Sequence, residues 1–199
     1  MHSDIRGYWN GNWEQWENSG KPSSFAQTCL AKIKEKGCLT LLDVGCGAGR
    51  DSVFFAGNGL NVTALDVSDT ALSKITDPRI EKICHDTATF DFSVSFDVIY
   101  AHLSLHYFDD LQTRAIVGRI FASLKQGGLF CMRCKSVRDP LFGKGRKIGE
   151  NMFVSDHFRH FFDVSYAASL LNAFSKTDIR ETAEDYYGTS AFIDCIAEK

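Results

Sequence analysis

Three glycines at alternating positions, directly after an apolar run, are the clearest indication of chemistry in this sequence. Gly45, Gly47 and Gly49 follow the β-favouring segment Cys38 to Val44, and a helix-like segment comes directly after them. Because glycine has no Cβ, the backbone can turn sharply there and approach a ligand closely. The helix that follows directs its free N–H groups back toward the turn. The pattern therefore predicts a nucleotide-type binding site.

The spacing of the glycines differs from the fingerprint of dinucleotide-binding proteins. That fingerprint reads G-x-G-x-x-G, whereas this chain reads D-x-G-x-G-x-G, and Arg50 follows. In this respect the sequence resembles the class I S-adenosylmethionine-dependent methyltransferases, whose turn packs against the methionine and ribose parts of the cofactor. The alternative is a glycine-rich turn without a ligand. The resemblance implies S-adenosylmethionine as cofactor, S-adenosylhomocysteine as product, and cofactor contacts at Asp43, Gly45, Cys46, Gly47, Gly49 and Asp51.

Two acidic residues downstream fit the same cofactor. Asp66 follows the second predicted strand, Leu60 to Leu65, where an acidic side chain can accept both ribose hydroxyl hydrogens. Asp86 follows the third predicted strand, Arg79 to His85, and in the family an Asp at this place holds the adenine amine. A solvated turn is the competing interpretation for Asp86. The other cofactor contacts that the resemblance implies are Val67, Thr87 and Ala101.

Two histidines follow the fourth predicted strand, which begins at Phe96. His102 and His106 are four residues apart and share a face if the strand exit is helical. Either is a candidate catalytic base, since an imidazole can titrate near the working pH, and the alternative is a polar packing residue. The region lacks the Asn/Asp-Pro-Pro-aromatic run typical of methyltransferases that act on amines of nucleic-acid bases.

The N-terminal segment, residues 1–22, is a candidate lid. Trp9, Trp13 and Trp16 are spaced i, i+4, i+7 and so lie on one face of a helix. Together with Tyr8 they predict a cover over the cofactor, as N-terminal segments often provide in small-molecule methyltransferases. The alternative is an amphipathic helix that packs on the domain, and both interpretations can hold together.

A second candidate for enclosing a substrate is the segment 137–163, where the hydrophobic periodicity fails. Irregular stretches of roughly 25 residues in compact domains tend to be functional. Its basic trio, Lys144, Arg146 and Lys147, would suit an anionic substrate, although such runs are usually only solvated. Its Phe/His cluster supplies Phe153 and Phe158 as expected substrate contacts. No metal is predicted, because the histidines of this segment lack further ligands at metal-site spacing.

Periodicity and composition indicate one α/β domain over residues 1–199. The chain is 44% hydrophobic, which is enough for a single core. The resemblance implies a Rossmann-like, seven-stranded doubly wound sheet of order 3-2-1-4-5-7-6 with strand 7 antiparallel. The remaining predicted elements are the helices Phe25 to Lys36, Asp51 to Gly57, Asp109 to Leu124 and Ser165 to Phe174, and the strands Leu129 to Ser136, Thr177 to Tyr187 and Ala191 to Ala197.

The net charge and the cysteines limit which partners and which cellular environment the sequence predicts. A formal net charge of −3 gives no general attraction to nucleic acid or to anionic membranes. No apolar run approaches the ~20 residues that span a bilayer. Several of the seven cysteines lie in apolar runs, as expected for buried thiols in a reducing cytoplasm. Cys131 and Cys134 form a C-x-x-C in a predicted strand, where they should face opposite sides and be structural.

The predicted function is therefore S-adenosylmethionine-dependent methyl transfer to a small molecule by a cytoplasmic monomer or weak dimer. The narrower resemblance is to tellurite-resistance and thiopurine methyltransferases, through Gly49-Arg50 and the Asp51-Ser52 helix start. One alternative is a tRNA or protein methyltransferase that docks its polymer on the basic trio. Another is a catalytically idle S-adenosylmethionine-binding sensor or subunit. The identity of the acceptor and the atom methylated are not readable from the sequence.

Overall fold

The computed structural model describes residues 4–16, 20–185 and 188–199. Within them a seven-stranded sheet carries helices on both faces, and a small three-stranded sheet lies in the segment 137–163. The helices are α1 (Ile5–Gln15), α2 (Ser24–Glu35), α3 (Arg50–Gly57), α4 (Asp69–Ser73), α5 (Asp110–Ser123) and α6 (Val164–Leu170), with a 3-10 turn at Leu105–Tyr107. The strands are β1 (Thr40–Val44), β2 (Asn61–Asp66), β3 (Glu81–Cys84), β4 (Phe96–His102), β5 (Leu124–Lys135), β6 (Arg146–Gly149), β7 (Met152–Val154), β8 (Phe158–His160), β9 (Lys176–Asp185) and β10 (Thr189–Glu198).

The main sheet has the order β3-β2-β1-β4-β5-β10-β9. The first five strands pair in parallel, and β10 runs antiparallel to both of its neighbours. Since β9 and β10 are the sixth and seventh strands of this sheet along the chain, the predicted order 3-2-1-4-5-7-6 is confirmed. Tyr187, the predicted end of the sixth strand, lies outside the described residues.

Apolar side chains on both faces of the sheet form two cores, as expected for buried parallel strands. On one face α5 and α6 pack against residues such as Leu42, Ile99 and Phe130. On the other, α2, α3 and α4 pack against Leu41 and Tyr100. Cys131 belongs to the second core and Cys134 to the first, so the two thiols face opposite sides, as the strand period requires.

Side-chain caps begin the helices that place the strand ends. Ser23 accepts a hydrogen bond from the Ala26 N–H at 3.0 Å and begins α2. Asp109 and Gln112 form a reciprocal capping box at the start of α5, the pattern that the sequence predicts there. No helix in the described part of the chain has the length and apolar character that a bilayer span requires.

A buried arginine fixes the end of β5 next to β9 and β10. The Arg133 guanidinium donates to Asp194 through Nε and Nη2, both at 2.6 Å, and to Glu184 at 2.8 Å. Its charge also lies over the rings of Phe25 and Phe192. Arg133 is only 2% exposed, and its contacts hold β5, β9, β10 and α2 together. Lys135 follows it by two positions in β5.

The segment 137–163 differs from the sequence-based expectation. Instead of an irregular insertion, it contains the antiparallel strands β6, β7 and β8. Strands of three or four residues are too short for a recognisable alternation of apolar and polar residues, so the sequence does not predict them. The helix α6 ends at Leu170, four residues before the predicted end at Phe174.

Candidate active site

A cavity of about 1240 Å³ opens where the parallel strands end. In an open α/β sheet this carboxyl edge is the usual place for a ligand. The cavity has a floor made by the turn after β1 and the ends of β2 and β4. Its walls come from β5 and β10, and α1 and the segment 137–163 cover it.

The glycine turn presents bare backbone to this cavity. Gly45 and Gly47 have φ values of +71° and +56°, which disfavour any side chain. A Cβ at Gly45 would overlap Ser104 Cβ, and one at Gly47 would overlap the indole of Trp13. The Gly45 and Cys46 N–H groups donate to the Leu65 carbonyl at 2.8 and 3.1 Å, which ties the turn to β2. The turn, which we call the glycine cradle, therefore has no side chain at two of its positions.

Asp66 lies at the end of β2 and reaches the same turn. Its Oδ2 accepts the Gly47 N–H at 2.8 Å, and its Oδ1 accepts the Ser68 N–H at 2.9 Å. Burial raises the pKa of this carboxyl, and the backbone donors of Ser68, Gly47 and Val67 oppose that shift. A carboxylate has about four acceptor sites, so Asp66 keeps one for a hydroxyl group of a ligand.

Two further carboxylates lie behind the turn. Asp43 Oδ2 accepts the Ser52 hydroxyl at 2.5 Å, and burial raises the Asp43 pKa to about 7. Asp51 accepts the Ser23 N–H, the Ser23 hydroxyl and the Tyr100 hydroxyl, each at 2.8 Å. Asp51 lines the cavity, and its bonds also join α2, α3 and β4.

Burial alone would raise the pKa of Asp51, yet its net shift is downward. The opposing causes are His102, Arg50 and the bonds from Ser23. Because burial lowers the pKa of His102 to about 3, that ring is neutral at physiological pH. The Ser23 bonds and Arg50 are therefore the causes that keep Asp51 ionised there.

The predicted adenine region lies at the same cavity. Val67, Asp86 and Thr87 line it, and Asp86 Oδ1 accepts the Ala88 N–H at 2.8 Å. Two predicted cofactor contacts lie elsewhere. Gly49 caps α3, where a Cβ would come within 2.5 Å of Ile75, and Ala101 is fully buried under α5. Neither residue is in the cavity wall, because Gly49 packs against Ile75 and Ala101 faces the core beneath α5.

His102 and His106 both line the cavity, but they belong to different elements. His102 ends β4 and stacks with Tyr100, whereas His106 lies in the 3-10 turn. Burial lowers the pKa of both rings, and for His106 the nearby cations Lys135 and Arg159 add to the effect. The prediction of a base that titrates near neutral pH therefore needs correction. A catalytic role for either ring remains a prediction.

Helix α1 lies over the glycine turn and is attached to α4. Asn10 Nδ2 donates to Asp69 at 2.9 Å, and Asn10 Oδ1 accepts the Ser68 hydroxyl at 2.6 Å. Lys74 Nζ donates to the Trp16 carbonyl at 2.6 Å. These bonds place Trp9 and Trp13 in the cavity wall.

Four rings join α1 to the segment 137–163; we call them the aromatic roof. Trp9 contacts Tyr107 with ring centroids 4.7 Å apart, and Tyr107 contacts His157 at 5.2 Å. Tyr8 packs on Trp9 at 5.1 Å. Trp9, Tyr107 and His157 line the cavity, with Tyr8 behind them.

The phenylalanines expected to contact substrate are placed differently. Phe153 packs against Phe142 and Phe161 in a separate cluster. Phe158 precedes Arg159 in β8, and successive side chains of a strand face opposite sides. Since Arg159 lines the cavity, Phe158 points away from it. The cavity wall is therefore formed here by His157 and Arg159, and neither Phe153 nor Phe158 belongs to it.

Sequence reasoning missed a polar cluster at the end of β5. Lys135 Nζ donates to Asp139 at 2.7 Å and to Ser190 Oγ at 3.1 Å, and all three residues line the cavity. The one local indication of this cluster in the sequence is that Lys135 ends an apolar run. The Asp139 and Ser190 partners depend on a turn and on strand pairing, which no local pattern reveals.

Comparison with known proteins agrees with this geometry. Residues 41–128 match a family model described as a methyltransferase domain. Over these residues the chain is similar to methyltransferase domains. The matched stretch begins in β1 and ends within β5, so it contains the glycine cradle, Asp66, Asp86, His102 and His106.

Relatives extend the likeness beyond the matched domain. An uncharacterised methyltransferase of Synechocystis sp. is 29% identical over 118 residues, which are 58% of this chain and 56% of that protein. The chain spans about half the length of the curated relatives it matches.

Solved structures share the fold over nearly the whole chain. The Burkholderia thailandensis 1,6-didemethyltoxoflavin-N1-methyltransferase, solved with 1,6-didemethyltoxoflavin and S-adenosylhomocysteine, has a TM-score of 0.75 at 20% identity, covering 98% of this chain and 87% of that one. TehB from Haemophilus influenzae has a TM-score of 0.70 at 13% identity, covering 98% of this chain and 66% of that one. At these identities the likeness concerns the fold of the methyltransferase domain.

Proposed function

We propose that this protein is an S-adenosylmethionine-dependent methyltransferase that methylates a small-molecule acceptor. The observation that carries the proposal is the continuity of the cavity. The glycine cradle with Asp66 and Asp86 opens directly into a chamber beneath the aromatic roof. A cofactor-binding protein without activity needs only the region of the glycine cradle, Asp66 and Asp86, and not the chamber. A transferase needs both parts in contact, since it acts mainly by positioning donor and acceptor.

The residues present fit the cofactor. Gly45 and Gly47 line the cavity without side chains, and Asp66 lines it with acceptor capacity left for a ribose hydroxyl. Asp86 would hold the adenine amine, and the buried carboxyl of Asp43 favours a positively charged ligand. When bound, S-adenosylmethionine supplies a methyl group activated by its sulfonium charge.

The chain's own part in the reaction is to orient the acceptor and to exclude water. The aromatic roof and the neutral imidazoles of His102 and His106 provide a weakly hydrated wall, which strengthens electrostatic interactions inside. Neither histidine is basic enough to take a proton at neutral pH from an ordinary acceptor. An acceptor that enters already deprotonated therefore suits this site best.

The wider organisation belongs to the same proposal. Residues 1–199 act as one methyltransferase domain, with residues 1–22 as the lid and 137–163 as the substrate-side segment. Tyr8, Trp9 and Trp13 form the lid contacts. The protein works in the cytoplasm as a monomer or weak dimer, consistent with thiols that are mostly buried and unpaired.

A small acceptor is favoured over tRNA or a protein because the chamber is covered. Helix α1 lies across the cavity, and of the basic trio only Lys144 lines it. Arg146 and Lys147 are exposed on β6. A polymer docked on them would still have to reach past the aromatic roof.

The cofactor assignment is tested by calorimetry on Asp66→Ala. We expect S-adenosylmethionine to bind to the wild type and to lose about 2 kcal/mol of affinity in the variant, as a hydrogen bond to a charged acceptor disappears. Asp91→Ala, an exposed acid away from the cavity, is the control. Unchanged affinity in Asp66→Ala, or binding of NAD instead, would contradict the assignment.

Transfer itself is tested with labelled S-adenosylmethionine and a cell extract divided by mass. Formation of S-adenosylhomocysteine should depend on the low-mass fraction and should disappear in Asp66→Ala. If the wild type binds the cofactor but no fraction supports turnover, the idle binder becomes the better interpretation.

A further inference from the structure

Lys135 presents a fixed positive charge to the chamber. It is the last residue of β5, and its side chain is only 12% exposed. Asp139 and Ser190 are its two hydrogen-bond partners within the described residues, and the Phe192 ring lies 4.9 Å from Nζ. Because an ammonium has three donor hydrogens, one remains for a group inside the cavity.

Asp139 holds Lys135 in place, and both of its carboxylate oxygens already accept hydrogen bonds from the protein. Its Oδ1 accepts the Leu141 N–H at 3.0 Å, and its Oδ2 accepts the Ala191 N–H at 3.0 Å as well as Lys135. With a side chain 1% exposed, this carboxylate offers nothing to a ligand. The lysine is therefore positioned in advance, and binding costs little further side-chain entropy.

On this side of the chamber two of the three lining cations are paired, and the third, Lys144, is exposed. In β5 and the segment 137–163, the lining cations are Lys135, Lys144 and Arg159, and the lining carboxylates are Asp139 and Asp156. Arg159 is paired with Asp156 at 2.7 Å, as Lys135 is with Asp139. The neutral state of His106 fits this positive wall, since Lys135 and Arg159 both disfavour its protonation.

From these contacts we infer that the acceptor is a small aromatic compound with a single anionic oxygen group, such as a carboxylate, and that Lys135 selects it. The inference rests on the proposed function and deepens it. Trp9, Tyr107 and His157 supply ring surfaces for the aromatic part, and Lys135 supplies the donor for the anion. The single remaining donor hydrogen of Lys135, which is already paired with Asp139, suits a monoanion better than a doubly charged phosphate.

The test compares two probes of the same shape, 2-naphthoate and 2-naphthamide, by calorimetry in saturating S-adenosylhomocysteine. We expect 2-naphthoate to bind about tenfold more tightly, as a charge-assisted hydrogen bond replaces a neutral one. Equal affinity, tighter binding of the amide, or failure of both probes to bind would overturn the inference. Absence of S-adenosylhomocysteine binding would instead count against the proposed function.

Variants assign the preference to Lys135. Lys135→Met alone would leave Asp139 buried without its partner, so it is combined with Asp139→Asn. The double variant should lose the preference for 2-naphthoate while keeping its affinity for S-adenosylhomocysteine, and Lys135→Arg should retain the preference. Lys147→Met removes an exposed cation from the same segment and serves as the matched control. A tenfold preference that persists in the double variant would refute the role of Lys135.

Discussion

The indole of Trp13 lies directly on Gly47, with no room for a Cβ between them. This contact joins α1 to the turn that resembles the cofactor loop of the family. Gly47 also donates its N–H to Asp66, so a single residue connects α1, the turn and the end of β2. The position of α1 and the shape of the proposed cofactor site are therefore linked.

Replacement of Gly47 by Ala tests this link. The new Cβ meets Trp13 and must also adopt a positive φ, which costs roughly 1–2 kcal/mol. We expect weaker S-adenosylmethionine binding in calorimetry and a lower melting temperature. Gly57→Ala is the control, because Gly57 lies in α3 with open space around it. Wild-type affinity in Gly47→Ala would show that the turn does not contact the cofactor.

The raised pKa of Asp43 predicts pH-dependent cofactor binding. Burial raises this pKa to about 7, and a bound cation favours the ionised carboxylate. S-adenosylmethionine should therefore bind more tightly from pH 6 to pH 8, by at most about tenfold per pH unit, and release protons. Calorimetry in buffers of different ionisation enthalpy measures that release. Asp43→Asn should remove most of it, and an unchanged release in this variant would contradict the assignment.

The same carboxyl affects stability without ligand. Its folded-state pKa lies above the value of an unfolded Asp, so the native state binds more protons between about pH 4 and pH 7. The contribution of Asp43 to stability therefore falls as the pH rises through that window. Chemical denaturation of the ligand-free protein should show a smaller fall for Asp43→Asn than for the wild type. A steeper fall in the variant would contradict this account.

The hydrogen bonds of Asn10 allow a test of whether α1 acts as a lid. Asn10→Ala removes the bonds to Ser68 and Asp69, which are worth about 1 kcal/mol each. All three tryptophans belong to this segment, so acrylamide quenching of tryptophan fluorescence reports on it alone. We expect stronger quenching and slower turnover with only partly weakened cofactor binding. Asn12→Ala is matched in type and helix, because among the described residues the Asn12 side chain donates to the Tyr8 carbonyl of α1, and it should behave as wild type.

Nucleic-acid binding provides a test of the acceptor class. Proteins that bind tRNA through phosphates lose affinity steeply with salt, because counterions are released. With a net charge of −3 and a covered chamber, we expect no retention of tRNA on a filter at physiological salt. Tight retention that weakens with salt would favour the tRNA methyltransferase alternative.

The parts of the fold that the sequence predicted are those with long, regular patterns. The apolar run before Gly45, the capping box of α5 and the closing hairpin are local patterns that the sequence shows directly. The order of the strands in the sheet came from the family resemblance. The segment 137–163 was not predictable in this way. Its strands hold three or four residues, and their direction depends on pairing with one another.

The same distinction applies to the candidate site. Asp43, Gly45, Gly47 and Asp66 are adjacent to recognisable turns, and the structure brings them to one cavity. Phe153 and Phe158 were chosen by type, yet whether a side chain faces a cavity is decided by strand register. The low pKa of His102 arises from burial by neighbours distant in sequence. Lys135 remained unnoticed because its partner Ser190 lies 55 residues away.

The antiparallel pairing of β10 with β5 bears on the order in which the site is made. The cradle for the cofactor is complete once β1, β2 and β4 have paired, whereas Ser190 and Thr189 join the cavity wall only after β10 has docked. The strand β10 leaves the ribosome long after β4, and non-local pairing is slow. The wall that carries Ser190 thus depends on the last strand of the sheet to be made, whereas the glycine cradle and Asp66 come from strands made early.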